Sequence, residues 1–345
     1  MKKINVSIIQ VTIFCFIFFG SFVMISDILR SKVHINDTIS TFYKERRDSI
    51  DVIFVGSSHA FSSFSPMELW NEYGITSYNL STGCQSIPCS YYLVKEAIRT
   101  QHPKIVVLET YAAYYMTDYI STARVHQVVD CIPLNSTKYE VLTEYLNDTL
   151  SIDERVEYVF PIILYHSRWK ELELRDIKPK RKYLRGFYTQ LHISKQQKME
   201  PIEEELDVYD KNITYIEKII KLCEEENVKL VMCQTPITNN KNYEKICGRM
   251  KTIEKYALEH DITYINYDKL SNEIKLDYNI DFADSKHLNI IGAAKTTSHM
   301  GDYLVTHYDV PDHRREYEYD NWNKDYVVYE RFISKKRKEM LNKLE

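Results

Sequence analysis

The chain has 345 residues, enough for one large domain or two small ones with a sizeable hydrophobic core. Its 45 basic and 49 acidic residues leave a formal net charge of −4, and the basic residues are not concentrated in one domain. This balance gives no electrostatic reason to expect a nucleic-acid partner, and we predict none.

The N-terminal region predicts a membrane anchor. Lys2 and Lys3 precede an uncharged, largely apolar run over 6–25, which Asp27 and Arg30 close. Such a run is long enough to cross the hydrocarbon core of a bilayer, and the lysines favour a cytoplasmic N-terminus. We therefore expect a single-pass protein of the cytoplasmic membrane with its remaining residues outside. A cleaved signal peptide is the alternative, although no small-x-small cleavage site follows the run.

Four parts follow from composition and pattern. They are a signal anchor (1–26), a polar stalk (27–48), a large domain (49–310) and a charged, aromatic C-terminal extension (311–345). The scarcity of glycine and the abundance of Lys, Ile, Asn and Tyr hint at an AT-rich bacterial genome.

The large domain alternates apolar runs with helical patterns. Five buried strands are predicted, at 52–55, 75–80, 103–110, 229–236 and 262–267. Helices are predicted between and after them, at 65–74, 91–99, 213–226, 244–259 and about 290–308. This order predicts a three-layer α/β/α fold around a mainly parallel five-stranded sheet. The alternation is lost over 112–205, which we interpret as a helical insertion whose basic run, 178–182, is solvated.

Seven cysteines occur, of which Cys15 lies in the apolar N-terminal run. Export would allow the other six to pair. Cys223 and Cys233, however, lie in apolar helix and strand patterns, where free buried thiols are common. No Cys/His spacing indicates a metal site, so we predict neither a metal nor another cofactor.

The first predicted strand ends at Gly56, and Ser57, Ser58 and His59 follow it. In open α/β sheets, ligands bind at the carboxyl ends of strands, so a hydroxyl here is placed for chemistry. The alternative is a polar loop that caps the next helix. Ser58 as a nucleophile requires a histidine base and a carboxylate that orients the histidine.

Asp284 and His287 supply that pair late in the chain. On a loop that enters a helix, a spacing of three residues lets both side chains project the same way. Ser58, His287 and Asp284 are therefore a candidate catalytic set, and the alternatives are an ordinary surface histidine and an Asp-x-x-His spacing that recurs by chance. Asp281 is the alternative orienting carboxylate.

Three separated blocks together resemble the SGNH/GDSL hydrolase superfamily: Gly56 to His59, Asn79 to Gly83, and Asp284-x-x-His287. They occur in that family's order, and the resemblance covers roughly 49–308. It implies that Ser58 is the nucleophile and that the backbone N–H groups of Ser58 and Gly83 form an oxyanion hole. His287 and Asp284 would be the other two members of the triad.

A further block departs from the family pattern. The family has Gly-x-Asn-Asp after the third strand, where this chain has Leu108, Glu109, Thr110 and Tyr111. The asparagine that donates a third oxyanion hydrogen bond is therefore missing. Three side chains are candidate replacements: Gln85, Thr110 and Gln234.

The anchor narrows the resemblance to membrane-bound SGNH proteins of bacterial envelope acylation, of the teichoic-acid D-alanylation and alginate acetylation types. Those proteins act beside a membrane-bound O-acyltransferase. The resemblance implies O-acyl transfer through an acyl-Ser58 intermediate to a cell-envelope or exported glycopolymer. A carbohydrate acetylesterase and a non-catalytic envelope scaffold that retains the fold are the alternatives.

Further substrate-contacting candidates lie beside the nucleophile, at strand ends or in the insertion: His59, Thr110, Tyr111, His166, Arg168, Trp169 and Gln234. Aromatic faces suit sugars, and arginine suits phosphate. His59 has the alternative role of packing or capping, and Trp169 that of a core residue of the insertion.

Overall fold

The computed structural model describes residues 2–30, 36–117, 121–147, 150–177, 183–200, 202–238 and 241–344. The basic run predicted to be solvated, 178–182, lies outside these residues. Five strands form one sheet: β1 (Val52–Gly56), β2 (Ser77–Ser81), β3 (Ile105–Glu109), β4 (Lys229–Gln234) and β5 (Thr263–Asn266).

Fourteen α-helices are present in the described residues: α1 (Lys2–Leu29), α2 (Asn36–Phe42), α3 (Ser58–Ser63), α4 (Pro66–Tyr73), α5 (Ile87–Gln101), α6 (Thr122–Val129), α7 (Ser136–Glu140), α8 (Ile152–Val159), α9 (Ile162–Tyr165), α10 (Leu174–Ile177), α11 (Asp210–Glu225), α12 (Tyr243–Glu259), α13 (Ile290–His307) and α14 (Asp320–Leu341). Short 3₁₀ turns cover Tyr111–Tyr114, His166–Glu171 and Tyr317–Tyr319, and a π-helical turn covers Val141–Tyr145.

The strand order is β2-β1-β3-β4-β5, and all neighbouring strands are parallel. This confirms the predicted α/β fold with a central parallel sheet. The chain passes from β1 to β2 in one direction and from β2 across to β3 in the other. The direction therefore reverses between β1 and β3, and in such sheets ligands bind outside the carboxyl ends of the strands at this switch point.

The inner strands β1 and β3 are buried and largely apolar because helices cover both faces of the sheet. On one face, alternate strand residues pack against α4 and α13 in a cluster that includes Val52, Phe54, Ile105, Val107, Val231, Leu69, Met300 and Leu304. The connection to β3 runs in the opposite direction, so its helix covers the other face, where α5 and α11 pack on each other and against β1 and β4. The result is three layers.

The chain divides into two compact units. The first contains Met1–His34 and Pro133–Arg181, and the second contains Ile35–Ile132 and Lys182–Glu345. The segment predicted as one insertion, 112–205, is therefore shared between them. In the first unit, Ser7–Leu29 of α1 is a helical stretch long and apolar enough to cross a membrane.

The C-terminal extension packs on the sheet domain through α14. The indole rings of Trp70 on α4 and Trp322 on α14 lie 5.3 Å apart. Arg185 is fully buried, stacks on Trp322 at 3.5 Å, and pairs with Glu45 (2.5 Å) and Asp325 (2.8 Å). The extension is thus an integral part of the second unit.

Candidate active site

The turn after β1 carries the predicted nucleophile. A Cβ on Gly56 would lie 2.8 Å from Glu109 Cβ and 3.1 Å from Ala60 Cβ, so close packing requires glycine here. Ser57 is the N-cap of α3, and Ser58 is the first residue of that helix. The strand end, the glycine and the cap together place the hydroxyl of Ser58 at the switch point of the sheet.

Ser58, His287 and Asp284 form a continuous hydrogen-bond relay. His287 Nε2 lies 2.8 Å from Ser58 Oγ, and His287 Nδ1 lies 2.9 Å from Asp284 Oδ2. With Nδ1–H donating to the carboxylate, Nε2 accepts the hydroxyl proton of Ser58. This is the geometry that a serine nucleophile requires.

The loop before α13 fixes the carboxylate of Asp284. Its Oδ1 accepts hydrogen bonds from the backbone N–H groups of Lys286 (2.7 Å) and His287 (3.0 Å). Partial burial raises the pKa of Asp284, but the His287 imidazole and these N–H groups outweigh it and bring the pKa below its usual value. The Asp284 carboxylate is therefore ionised and can stabilise the protonated imidazole of His287.

The same loop holds Asp281 away from His287. Asp281 is buried, and its carboxylate accepts a hydrogen bond from Lys295 Nζ at 2.6 Å. Asn289 fastens the loop by donating to the carbonyl oxygens of Ile280 (2.6 Å) and Phe282 (3.2 Å). The sequence offered two aspartates as the orienting group. In the structure, Asp284 is the one that contacts the imidazole of His287.

The predicted oxyanion donors lie on neighbouring strand ends. Gly56 pairs with Ser81 in the β1–β2 register, and Gly83 follows two residues beyond Ser81 in a buried loop. The first N–H groups of a helix have no partner within the helix, and the N–H of Ser58 is the first of α3. Both backbone donors thus belong to segments that leave the same edge of the sheet.

The three candidate replacements for the missing asparagine bond to other groups. Gln85 Nε2 donates to Leu80 O (3.3 Å) and Ser90 Oγ (3.0 Å), Thr110 Oγ1 donates to Cys233 O (3.0 Å), and Gln234 Nε2 donates to Asp268 Oδ2 (2.5 Å). None of these three side chains hydrogen-bonds to Ser58, and the role of a third oxyanion donor stays a prediction.

His59 and Tyr111 form a buried stack behind the relay. Their ring centroids are 3.6 Å apart, and the His59 ring lies 5.2 Å from that of His287. His59 Nδ1 is 3.3 Å from Thr235 Oγ1 at the end of β4. Burial, and then the nearby His287 and Lys286, lower the pKa of His59 well below its usual value. A neutral imidazole therefore lies beside that of His287, and sequence reasoning missed Thr235 as its partner.

Glu109 is a second residue that sequence reasoning missed. It is buried at the end of β3, where Oε1 accepts the N–H of Tyr111 (2.8 Å) and Oε2 accepts the hydroxyl of Ser57 (3.2 Å). Burial raises its pKa to about 7, although these hydrogen bonds oppose the change. Glu109 thus ties the nucleophile turn to the exit from β3. The sequence did contain a signal for Glu109, because a carboxylate ends an otherwise apolar strand there.

Tyrosines line the exit from β3. The turn Tyr111–Tyr114 is held in place by Arg249, which donates to the carbonyl of its last residue at 2.7 Å. Asn212 donates to the carbonyl of Tyr115 at 2.9 Å, and the Tyr115 hydroxyl lies 3.8 Å from Cys84 Sγ. This aromatic wall therefore faces the loop that contains Gly83.

His166, Arg168 and Trp169 belong to the first compact unit. His166 Nδ1 lies 2.9 Å from Ile163 O, and Arg168 donates to Leu29 O at 2.7 Å. Trp169 is 65 % exposed, so it is not a core residue of its segment. The contacts of Arg168 are made to the end of α1.

All seven cysteines are free thiols, and Cys223 and Cys233 are buried. Among the described residues, no group of three His, Cys, Asp or Glu side chains is arranged to hold a metal ion. A scan against protein-family models finds none that matches the chain. A search of curated proteins finds no matching relative.

Proposed function

We propose that the chain is a membrane-anchored serine O-acyltransferase or esterase of the SGNH type, acting on a cell-envelope or exported glycopolymer. The observation that carries the proposal is the relay of Ser58, His287 and Asp284 at the switch point of the sheet. The three sequence blocks that resemble the SGNH superfamily supply the reaction class.

In the first half-reaction, Ser58 Oγ attacks the carbonyl carbon of an acyl donor while His287 Nε2 takes the hydroxyl proton. The backbone N–H groups of Ser58 and Gly83 stabilise the resulting oxyanion, and one such donor is worth about 3 kcal/mol of barrier. Asp284 stabilises the imidazolium. His287 then returns the proton to the leaving oxygen, the bond from carbon to that oxygen breaks, and an acyl ester of Ser58 remains.

In the second half-reaction, His287 takes a proton from the acceptor hydroxyl as its oxygen attacks the acyl carbon. The proton passes to Ser58 Oγ as the ester bond breaks, which regenerates the enzyme. A polymer hydroxyl as acceptor gives transfer, and water gives hydrolysis. Hydrolysis stays a second candidate because the Asp284 side chain is 54 % exposed, so solvent reaches this end of the relay.

The location proposed for this chemistry is the extracytoplasmic side of a bacterial cytoplasmic membrane. The apolar helix over Ser7–Leu29 and the lysines that precede it support this orientation. A membrane-bound O-acyltransferase is the partner proposed to deliver the acyl group.

Labelling with a fluorophosphonate tests the catalytic role. We expect the full-length chain in detergent to be labelled, Ser58→Ala to be unlabelled, and Ser57→Ala to be labelled still. If the wild type is neither labelled nor able to cleave an activated acetyl ester, the catalytic proposal fails and the scaffold alternative stands.

Acceptor competition separates transfer from hydrolysis. With an acetyl donor and a soluble glycopolymer, a transferase releases less free acetate as the polymer concentration rises, and the polymer gains ester. An acetylesterase releases acetate at an unchanged rate and leaves the polymer unmodified.

A further inference from the structure

One face of the C-terminal end of α1 is covered by residues from 160–177, here called the docked segment. Phe160 packs edge-on against Phe22, with ring centroids 5.7 Å apart. Ser26 Oγ accepts the N–H of Ile162 at 3.2 Å, and Arg168 donates to Leu29 O at 2.7 Å. The contacted positions recur along α1 at helical spacing, so they form one stripe on that helix.

These contacts set the depth of the docked segment. Phe22 lies within the apolar run, five residues before Asp27, the first charge that closes it. At 1.5 Å per residue, this is about 8 Å along the helix axis. If α1 spans a bilayer, Phe160 therefore lies below the headgroups and within the acyl chains.

Two charged side chains of the docked segment, Arg168 and Asp176, are satisfied internally, whereas Lys170, Glu171 and Glu173 are exposed. Arg168 is bound to the last carbonyl groups of α1 and also pairs with Asp176 at 3.1 Å, a carboxylate that is 1 % exposed. Asp176 in turn accepts the N–H of Glu173 at 2.8 Å. Internal pairing of this kind is what a lipid environment demands, because acyl chains provide no hydrogen bonds.

The apolar side chains of the docked segment point outward instead. Five of them are more than 40 % exposed: Ile163, Leu164, Trp169, Leu174 and Ile177. The Lys170 ammonium lies 5.6 Å from the Trp169 ring, and the combination of Trp and Lys is typical of the membrane interface. A water-exposed surface of this composition would be unfavourable.

We infer that the docked segment is immersed in the membrane interface beside α1, with lipid as the partner of its exposed apolar side chains. The inference rests on the membrane-anchored part of the proposed function and is independent of the chemistry at Ser58. Lipid is favoured over a protein partner because the contacts with Phe22 and Ser26 fix the segment at bilayer depth. In the first unit, α1 then spans the membrane, and the docked segment enters only its interface.

Quenching of tryptophan fluorescence tests this inference. The full-length chain is reconstituted in phosphatidylcholine vesicles, with and without lipids brominated near the headgroup end of the acyl chains. Of the three tryptophans, Trp70 and Trp322 are 1 % and 2 % exposed, so a quenchable signal comes from Trp169. We expect brominated lipid to quench the wild type and Trp169→Phe to remove that quenching, whereas aqueous iodide quenches neither protein strongly.

The opposite pattern overturns the inference. Iodide quenching of Trp169 without quenching by brominated lipid, in a chain that floats with the vesicles, places this face in water and favours a protein partner. A chain that does not float with the vesicles refutes the membrane anchor and this inference together. Fluorophosphonate labelling of Ser58, measured on the same samples, reports on the catalytic proposal separately.

Discussion

Two aspartates three residues apart, Asp281 and Asp284, have different partners, and this difference assigns their roles. Asp284 holds the imidazole of His287, so Asp284→Asn removes the charge that stabilises the imidazolium and favours the wrong tautomer. We expect kcat for an activated acetyl ester to fall by about 10²- to 10⁴-fold, with the full effect known from buried triad aspartates as the upper bound. Steady-state kinetics measures this loss.

Asp281→Asn is the matched control. It removes the ion pair with Lys295 but no contact of His287. We expect a lower melting temperature and a kcat close to that of the wild type at a temperature where both are folded. A larger loss of kcat in Asp281→Asn than in Asp284→Asn would reverse the assignment.

Glu109 should make the stability of the fold depend on pH. Burial raises its pKa to about 7 from an ordinary 4.5, so the folded state binds the proton more tightly than the unfolded state. The stabilisation is complete below the unfolded pKa and is lost as pH rises through about 7, a change of roughly 3 kcal/mol. Glu109→Gln keeps the acceptor oxygen and removes the titration. We expect the melting temperature of this variant, relative to the wild type, to rise between pH 5 and pH 8.

Exposed Glu217 on α11 provides the control for that experiment. Glu217→Gln removes a carboxylate at the surface and measures the general effect of losing one negative charge. A flat difference for Glu109→Gln would mean that burial does not raise the pKa of Glu109, so that the carboxyl is ionised in both the folded and the unfolded state throughout this range.

Among the elements, the turn between β1 and α3 is closely packed at Gly56. Gly56→Ala would place a methyl group 2.8 Å from Glu109 Cβ and 3.0 Å from Glu109 O, so β1 and β3 must separate locally. We expect a loss of about 1–3 kcal/mol in the free energy of unfolding, the usual cost of overpacking. Because the shift occurs two residues before Ser58, the proposed nucleophile, fluorophosphonate labelling of Ser58 should slow as well. Denaturant unfolding and labelling rates measure the two effects.

Gly20→Ala is the control for that substitution, because no atom lies within 4 Å of a Cβ at that position of α1. It should leave the labelling rate of Ser58 unchanged. Normal labelling in Gly56→Ala would show that the turn absorbs the methyl group without moving the nucleophile.

Much of the sheet was predictable because β1, β3 and the second half of β4 are buried and largely apolar. The relay was predictable from one glycine turn and one Asp-x-x-His spacing. Glu109 and Thr235 were not, because their contacts with Ser57 and His59 depend on which strand ends become neighbours. Strand order is a property of the assembled sheet, and no local pattern encodes it.

At the scale of the whole molecule, the borders of the compact units were the least predictable feature. Residues 183–200 have no helical or strand periodicity, yet they run along the second unit through backbone hydrogen bonds. Examples are the N–H of Asn79 to Arg185 O (3.0 Å) and the N–H of Tyr188 to Phe61 O (2.9 Å). These backbone hydrogen bonds and the buried Arg185 make no periodic pattern, so the sequence assigned the segment to the insertion.

Arg185 joins three distant parts of the second unit, and its removal should destabilise that unit as a whole. Its guanidinium pairs with Glu45 and Asp325 and stacks on Trp322, with no exposed surface. Arg185→Leu leaves two carboxylates without this cation, so we expect a loss of about 3–5 kcal/mol in the free energy of unfolding. Arg185→Lys keeps the positive charge but lacks the planar guanidinium. Its free energy of unfolding should therefore lie between those of the wild type and Arg185→Leu.

Lys324 on α14 offers the comparison, because it pairs with Asp320 while 77 % of its side chain is exposed. Lys324→Met should cost about 0.5 kcal/mol or less, as surface pairs do. Denaturant unfolding in detergent, followed by tryptophan fluorescence, reports on both variants because Trp322 lies beside Arg185. Equal losses in the two variants would mean that the buried pairs do not hold the C-terminal extension on the sheet domain. A large loss of unfolding free energy in the Arg185 variant alone would mean that the second unit, which contains Ser58, requires the C-terminal extension for its stability.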